Sequence, residues 1–417
     1  MLEKNWSGTY VYGASRIHTP RTVDEVRDIV ASGDRVRALG TRHSFSSLAD
    51  SPGSLVDLRR IEPVPELDRD AMTVTVSAGV RYGELAAFLQ GNGCALHNLG
   101  SLPHICVAGA CATATHGSGD RNRCLAASVA GIEIVTGGGE LVSASRVDSE
   151  FAGMVVALGA LGIVTRVTLD IEPTYDVRQD SYVDLEWPAL DEHLDAVMGS
   201  AYSVSMFTDW RERIDRVWLK TRLDGEPFEP PVDVFGARPQ PPEQWATLIS
   251  DDPNLTPRGG SPGPWSERLP HFRLDSTPSN GDEIQSEYFV DRRHAVEAIR
   301  AVREVGADLE PVLMIGELRT VAADTMWLSP AYGRDSLALH FTWRNDPREV
   351  TRAVAALEAA LAPFDARPHW GKVFAIQGGS LARLYDRLDD FRALAERLDP
   401  SGQFRNAYVD RLVFGAG

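Results

Sequence analysis

Apolar residues recur along the chain in two periods, and the places where the period changes outline the elements. Residues 20–31 (PRTVDEVRDIVA) carry Val23, Val26, Ile29 and Val30 at helical spacing behind Thr22, a cap-type residue. Val36, Ala38 and Leu39 then read as a short strand broken by Gly40, and SLVDL at 54–58 as another. Residues 72–77 alternate strictly, Thr73 and Thr75 against Val74 and Val76, and lead into 81–90, where Tyr82, Leu85 and Leu89 form a helical stripe. Residues 128–142 read as two strands joined through Thr136-Gly137-Gly138-Gly139, a hairpin signal. Residues 150–158 read as a helix and 162–171 as a strand ending before Pro173.

From about Asp176 the strands lengthen and glycines thin out, which predicts a second unit. SVSMFTDW and RVWLKTR read as paired strands, 284–290, 312–321 and 337–343 as three more, and 294–305, 347–361 and 381–398 as helices. Residues 223–270 are rich in Pro and Gly without a period. A connection that long is either an ordered functional excursion or disordered, and Trp245 and Trp265 favour order.

Two stretches do not fit either period. RVRALGTRHSFS at 35–46 runs a strand into a turn whose N–H groups at Thr41 to Ser44 are free to face an anion. With one glycine and no lysine it is neither a dinucleotide GxGxxG nor a GxxxxGK[ST] phosphate loop. Taken alone, His43 is an ordinary loop histidine. Residues 99–119, LGSLPHICVAGACATATHGSG, are nearly all small. A core helix needs bulk, so this composition predicts backbone lying close to something flat or anionic, with N–H groups across 113–119 suited to a diphosphate.

Composition narrows the partners. The 417 residues are 43% hydrophobic and 24% charged, an ordinary globular balance for about two to three domains. The net charge of −17 excludes a nucleic-acid or anionic-membrane partner, which needs a basic face. No apolar run approaches the roughly 20 residues of a bilayer span, and the N-terminus lacks a signal pattern. Cys94, Cys106, Cys111 and Cys124 show no CxxC spacing, so reduced thiols and no metal site are expected. A soluble, cytoplasmic protein follows.

Period-2 alternation then sets polar residues together on otherwise apolar strands: Gln285 with Glu287, Glu317 with Arg319, and His340 with Thr342. If those faces coincide they form a polar floor, which Lys372 of HWGK would complete. Each member has a duller reading: Glu317 and Arg319 as a mutually satisfied pair, His340 as a bonded core residue. Together they point to a site for a hydroxyl-rich small molecule, because desolvating so many polar groups costs several kcal/mol unless they serve each other or a ligand. No GxSxG or HExxH competes.

GTRHSF (40–45), SLPHICVAGACATATHGSG (101–119), ALGALGIVTRVTL (157–169), RPHWGK (367–372) and LDPSGQFRNAY (398–408) together resemble the vanillyl-alcohol-oxidase-type flavoproteins. Within them the chain is similar to the alditol oxidases, relatives of the sugar-lactone oxidases. The resemblance implies an α+β, two-domain flavoprotein. An FAD-binding domain of the vanillyl-alcohol-oxidase (PCMH) type would span 1–173, a substrate domain with a mixed or antiparallel sheet flanked by helices 174–373, and a segment returning to the FAD domain 374–417. His43 corresponds to the histidine bonded to the flavin 8α-methyl. Gly40, Thr41, Arg42, Ser44, Ser101, Cys106, Gly109, Thr113, Thr115, His116, Gly117, Gly162 and Val164 correspond to the cofactor cradle. Ser101, Gln285, Glu317, Arg319, Thr342 and Lys372 match polyol-binding positions, with His340 in the same pocket. Of these, Arg319, Lys372 and Glu317 are implied in catalysis, and Gly100 stands at the position that gates oxygen.

The implied reaction passes hydride from a terminal carbinol to flavin N5 and electrons on to O2, giving hydrogen peroxide, with xylitol, sorbitol or glycerol as substrate. An aldonolactone oxidase or dehydrogenase (arabinono- or gulono-lactone type) is the alternative, and a non-catalytic flavin-binding protein a further one. A monomer with no macromolecular partner is expected. Arg42 and Ala114 stand where the family has small residues or glycine, and Cys106 where it has serine. The context of Cys106 differs from relatives with a second, cysteinyl, flavin link, so attachment through His43 alone is expected.

Overall fold

Near the N-terminus, short strands pair in parallel: Arg16–His18 and Val36–Leu39 flank Ser54–Asp57. The helix Val23–Ala31 crosses between them with Thr22 capping Glu25 N and Val26 and Val30 buried. A five-stranded antiparallel sheet follows, in the order Glu66–Asp68, Thr73–Ser77, Ile163–Asp170, Val129–Val135 and Leu141–Ser145. The computed structural model describes residues 3–61, 65–225, 228–240, 254–276 and 282–415. Trp245, expected to order the 223–270 excursion, lies outside them, as do 226–227 and 241–253.

The second unit is one nine-stranded sheet, and its strand order explains the site. Leu313–Val321 and Glu283–Asp291 both pair antiparallel with Ser336–Arg344. The register sets Glu287 opposite His340 and His340 opposite Glu317, and Gln285 opposite Thr342. Period 2 puts the intervening Tyr288, Leu318, Leu339 and Phe341 on the other face, in a core with helices Trp187–Met198, Ala295–Glu304 and Pro347–Leu361. One face is thereby committed to helices, and the polar residues are left together on the other. The excursion is ordered where described: Arg238–Pro239 and Gly263–Pro264 add to the edge of Asp176–Glu186, and Trp265 is fully buried.

The ends of the chain meet. The buried Arg37 guanidinium donates to the carbonyls of Leu48 (2.7 Å), Leu158 (2.6 Å) and Phe404. Asn406 donates to Ser47, Leu48 and Asp50, and Trp370, Tyr385 and Leu412 join the N-terminal core.

Several elements differ from expectation. The 381–398 helix is two, Gly378–Ala382 and Leu388–Leu398, because the chain leaves the helix to seat Tyr385 against Trp370 at 5.1 Å. The 150–158 helix stops at Val155, since Leu158 (φ +55°) and Gly159 (φ +68°) turn left-handed to present carbonyls to Arg37. Helix Trp187–Met198 has no counterpart in the sequence reading. The small-residue stretch contains a short helix, Val107–Ala112, whose side chains permit close packing. No helix among the described residues is long and apolar enough to cross a membrane.

Candidate active site

A single cavity of about 820 Å³ runs from the 40–45 turn, past helix Val107–Ala112 and the 157–164 turn, to the polar face of the large sheet. Its length and two-part lining suit a dinucleotide-sized cofactor with a small substrate beyond it.

At the turn, the N–H groups of residues 41–44 donate to no protein acceptor among the described residues, so the anion-facing backbone read from sequence is present. Residue 42 has φ +65° and residue 114 φ +54°, which explains why glycine or a small residue is expected at both positions. The Arg42 guanidinium is held by Glu3 and Asp57, the latter at 3.0 Å. Cys106 is buried against two glycines; a Cβ on Gly40 or Gly109 would lie 2.8 or 2.9 Å from its sulfur. The expected amides at 113–119 are mostly taken: Thr113, Ala114, Thr115 and Gly119 N–H bond to backbone carbonyls. Gly117 does not line the cavity, for a Cβ there would meet Leu99 O and the Asn98 amide, and Gly100 lies outside the lining as well. Thr113, Thr115, Gly162 and Val164 do line it.

His43 fits a flavin anchor. Its ring stacks on Trp6 at 5.5 Å and 18°, Nδ1 lies 3.1 Å from Thr41 Oγ1, and Nε2 is buried without a partner. Burial, helped by His104, pushes its pKa down to about 4, so the ring is a neutral imidazole with a nitrogen lone pair available for bonding. The orphaned nitrogen, the cradle that extra Cβ atoms would fill and the left-handed turns together fit FAD.

The sheet brings the expected polar residues together. Arg319 Nη2 lies 3.0 Å from Glu317 Oε2, and Arg319 Nη1 donates to Ser101 Oγ at 3.2 Å. Lys372 Nζ donates to Glu287 Oε2 at 2.7 Å and to His340 Nδ1 at 2.6 Å. A lysine ammonium offers no lone pair, so His340 keeps its proton on Nε2 and donates to Thr342 Oγ1 at 3.1 Å. Thr342 therefore has its own hydroxyl proton to give a ligand. Gln285 also lines the cavity, its amide bonded to Glu283.

Glu287, read from sequence as part of the floor but given no role of its own, is its centre. Besides Lys372 it faces His116 Nε2 at 3.2 Å and Arg319 Nη2 at 3.9 Å. His116, expected at the cofactor, thus also braces the floor. Burial would raise the Glu287 carboxyl, but Lys372 and His116 hold it well below the carboxylate range. Glu317 behaves alike: burial is outweighed by Arg319 and His271. Burial and Lys372 push His340 down to about 4, and burial pulls Lys372 down against the field of Glu287. His271, which sequence reasoning missed, donates from Nε2 to Glu317 Oε1 at 2.9 Å. It arrives from an aperiodic loop, which carries no sequence signal. Arg319 Nε remains buried without a hydrogen-bond partner, a donor left over on a floor built for a ligand.

Comparison with known proteins agrees with this arrangement. Residues 14–145 match the family described as FAD binding domain, and residues 280–412 that described as D-arabinono-1,4-lactone oxidase. An alditol oxidase of Streptomyces sp. (strain IKD472 / FERM P-14339) is 46% identical over 416 residues, 99% of each chain. An L-gulono-1,4-lactone dehydrogenase of Mycobacterium tuberculosis is 29% identical over 444 residues, 98% of each. Among solved structures, cholesterol oxidase from B. sterolicum has a TM-score of 0.79 at 14% identity, covering 99% of this chain and 96% of that one. Xylooligosaccharide oxidase from Myceliophthora thermophila C1, in complex with xylobiose, has a TM-score of 0.76 at 16% identity, covering 97% and 93%.

Proposed function

Since the chain belongs to the alditol oxidase family of vanillyl-alcohol-oxidase-type FAD flavoproteins, we propose that it oxidises the terminal primary alcohol of a polyol such as xylitol, sorbitol or glycerol. The observation that carries this reading is the pairing of Arg319 and Lys372 over one hydroxyl-binding floor, inside the cavity that also holds His43. Bound in that cavity, FAD supplies a hydride acceptor and returns the electrons to O2 as hydrogen peroxide. We assign the covalent attachment to His43.

The chain's own residues prepare the alcohol. Arg319 and Lys372 place positive charge on the floor that would stabilise a carbinol oxygen as negative charge develops on it. Arg319 and Lys372 are each held by a buried carboxylate, Arg319 by Glu317 and Lys372 by Glu287. Ser101 and Thr342 offer hydroxyls, and Gln285 and Glu317 grip hydroxyls further along the substrate. Apolar Phe207, Phe272 and Ile315 line the cavity near them and suit the carbon chain of the polyol.

We take residues 1–173 and 374–417 as the cofactor unit and 174–373 as the substrate unit. The four buried free thiols support a reducing, cytoplasmic setting, and the scatter of exposed large apolar residues supports a monomer.

An aldonolactone oxidase is the second reading, favoured by the family match over 280–412, which carries most of the floor. Aerobic incubation with xylitol, sorbitol, glycerol and an aldonolactone, read by peroxide release, separates the two. Turnover of the lactone with silence on all three polyols selects the second.

A further inference from the structure

Lys220 lies on Arg213–Arg222, two strands from Glu317, and is 1% exposed. Its Nζ donates to Leu269 O, to Pro270 O at 3.1 Å and to His271 Nδ1 at 3.2 Å. Three acceptors match the three N–H bonds of an ammonium, and among the described residues no carboxylate touches it. A buried cation without a direct counter-ion is costly. Here the compensation comes through an imidazole, since His271 Nε2 lies 2.9 Å from Glu317 Oε1.

We propose that Lys220 and His271 are positioning residues: the ammonium fixes His271 as its Nε2–H tautomer, and that N–H holds Glu317 as the carboxylate that orients Arg319. The chain of contacts runs without a gap from Lys220 through His271, Glu317 and Arg319 to Ser101. Burial lowers Lys220 to about 7; its ammonium form can only donate, so His271 Nδ1 accepts from it, and the Glu317 carboxylate in turn needs a donor at Nε2, where the ring's single proton sits. The other tautomer would set one lone pair against Glu317 and one N–H against Lys220. Backbone contacts fix the ring: His271 N donates to Ser101 O at 3.0 Å, and Thr256 N donates to His271 O at 2.9 Å. Among the described residues the ring also packs against Phe207 at 5.8 Å and Trp218 at 5.1 Å, neither of which titrates near neutrality. The charged groups facing it are Lys220 from Arg213–Arg222 and Glu317 and Arg319 from Leu313–Val321. Burial and Lys220 hold the ring down to about 4, so it stays neutral. The return of the chain from the 223–270 excursion is what delivers His271 to the site.

The inference rests on the oxidase reading only for the choice of substrate, so the kinetics use whichever polyol or lactone the wild type turns over. The first measurement needs no turnover. Long-range 1H–15N spectra of histidine-labelled holoenzyme, with His271 identified by its absence in His271→Gln, should show the Nε2–H tautomer and a shift towards Nδ1–H in Lys220→Met. The second is the pH profile of kcat/KM. Lys220→Met and His271→Leu should lose about tenfold or more at pH 7 and gain an acid limb that the wild type lacks, as Glu317 becomes protonatable. His271→Gln can accept from Lys220 and donate to Glu317, so it should keep the wild-type profile. If Lys220→Met does not accumulate as folded protein, the Leu and Gln variants carry the comparison. A wild-type Nδ1–H tautomer, unchanged kinetics, or equal loss at every pH in the Leu and Gln variants overturns the proposal.

Discussion

Lys372 Nζ sits 2.7 Å from Glu287 Oε2, so a cation lining the cavity is anchored by a carboxylate buried at the centre of the floor. Lys372→Met should lower the rate of flavin reduction by about 10²–10³-fold, the scale for removing one oxyanion donor. Flavin content should be unchanged, because Lys372 belongs to the floor. Stopped-flow reduction under anaerobic conditions measures the rate, and visible absorbance per protein the content.

Glu287→Gln removes the partner of Lys372 and leaves that ammonium buried beside Arg319. Breaking such a pair from one side costs about 3–5 kcal/mol. The urea midpoint should fall accordingly, whereas Glu349→Gln, which breaks only the exposed pair with Arg352, should move it by less than about 1 kcal/mol.

Acid should destabilise the protein within a defined window. His271 and His340 titrate near 4 when folded and near 6.5 when unfolded. Below pH 6.5 the unfolded chain therefore binds protons that the folded chain refuses, and stability falls as pH drops from 6.5 to 4. In mid-window the two histidines together contribute a slope of about 2–3 kcal/mol per pH unit. Below the usual carboxylate range the depressed Glu287 and Glu317 add to the loss. Urea midpoints at pH 7, 6 and 5 should decline in order; equal midpoints would contradict the buried neutral state of these rings.

The strand floor was legible because period 2 is a strong constraint: Gln285, Glu287, Glu317, Arg319, His340 and Thr342 could share a face only if three strands lay in register, and they do. Lys220 and His271 were not legible. Lys220 stands in RVWLKTR, where a lysine reads as solvent-facing, and only the return of a distant aperiodic loop buries it. Arg37 was hidden in the same way, since its partners come from Leu48, Leu158 and the C-terminal Phe404. The positive φ at Leu158 ended a helix that its apolar spacing would have continued, and propensity alone does not reveal a backbone carbonyl needed elsewhere. The small-residue stretch was correctly seen as a close-approach segment, but its closeness serves Cys106 and Asn98 as well as the cavity.

Gly40→Ala should weaken cofactor retention, because the new Cβ would lie 2.8 Å from Cys106 Sγ. Overpacking of this kind costs about 1–3 kcal/mol. Gly40→Ala combined with Cys106→Ala should recover most of the loss, giving a coupling in the double-mutant cycle well above the scatter for independent sites. Additive effects would mean that the glycine is needed for another reason.

Flavin should stay with acid-precipitated wild-type protein and wash out of His43→Ala, which should still bind FAD through the 40–44 turn. Absorbance of pellet and supernatant reads both. Free flavin from the wild type would remove the anchor while leaving non-covalent binding intact.

If the Arg319 and Lys372 floor presents a polyol to flavin held at His43, xylitol alone must reduce that flavin. Anaerobic titration of the yellow holoenzyme with xylitol, followed at the visible flavin band, reads this directly. Stoichiometric bleaching is expected, reversing on admission of O2 with one peroxide per flavin, and strongly slowed in Arg319→Met at unchanged flavin content. A flavin that keeps its colour with xylitol, sorbitol and glycerol alike would contradict polyol oxidation at this floor.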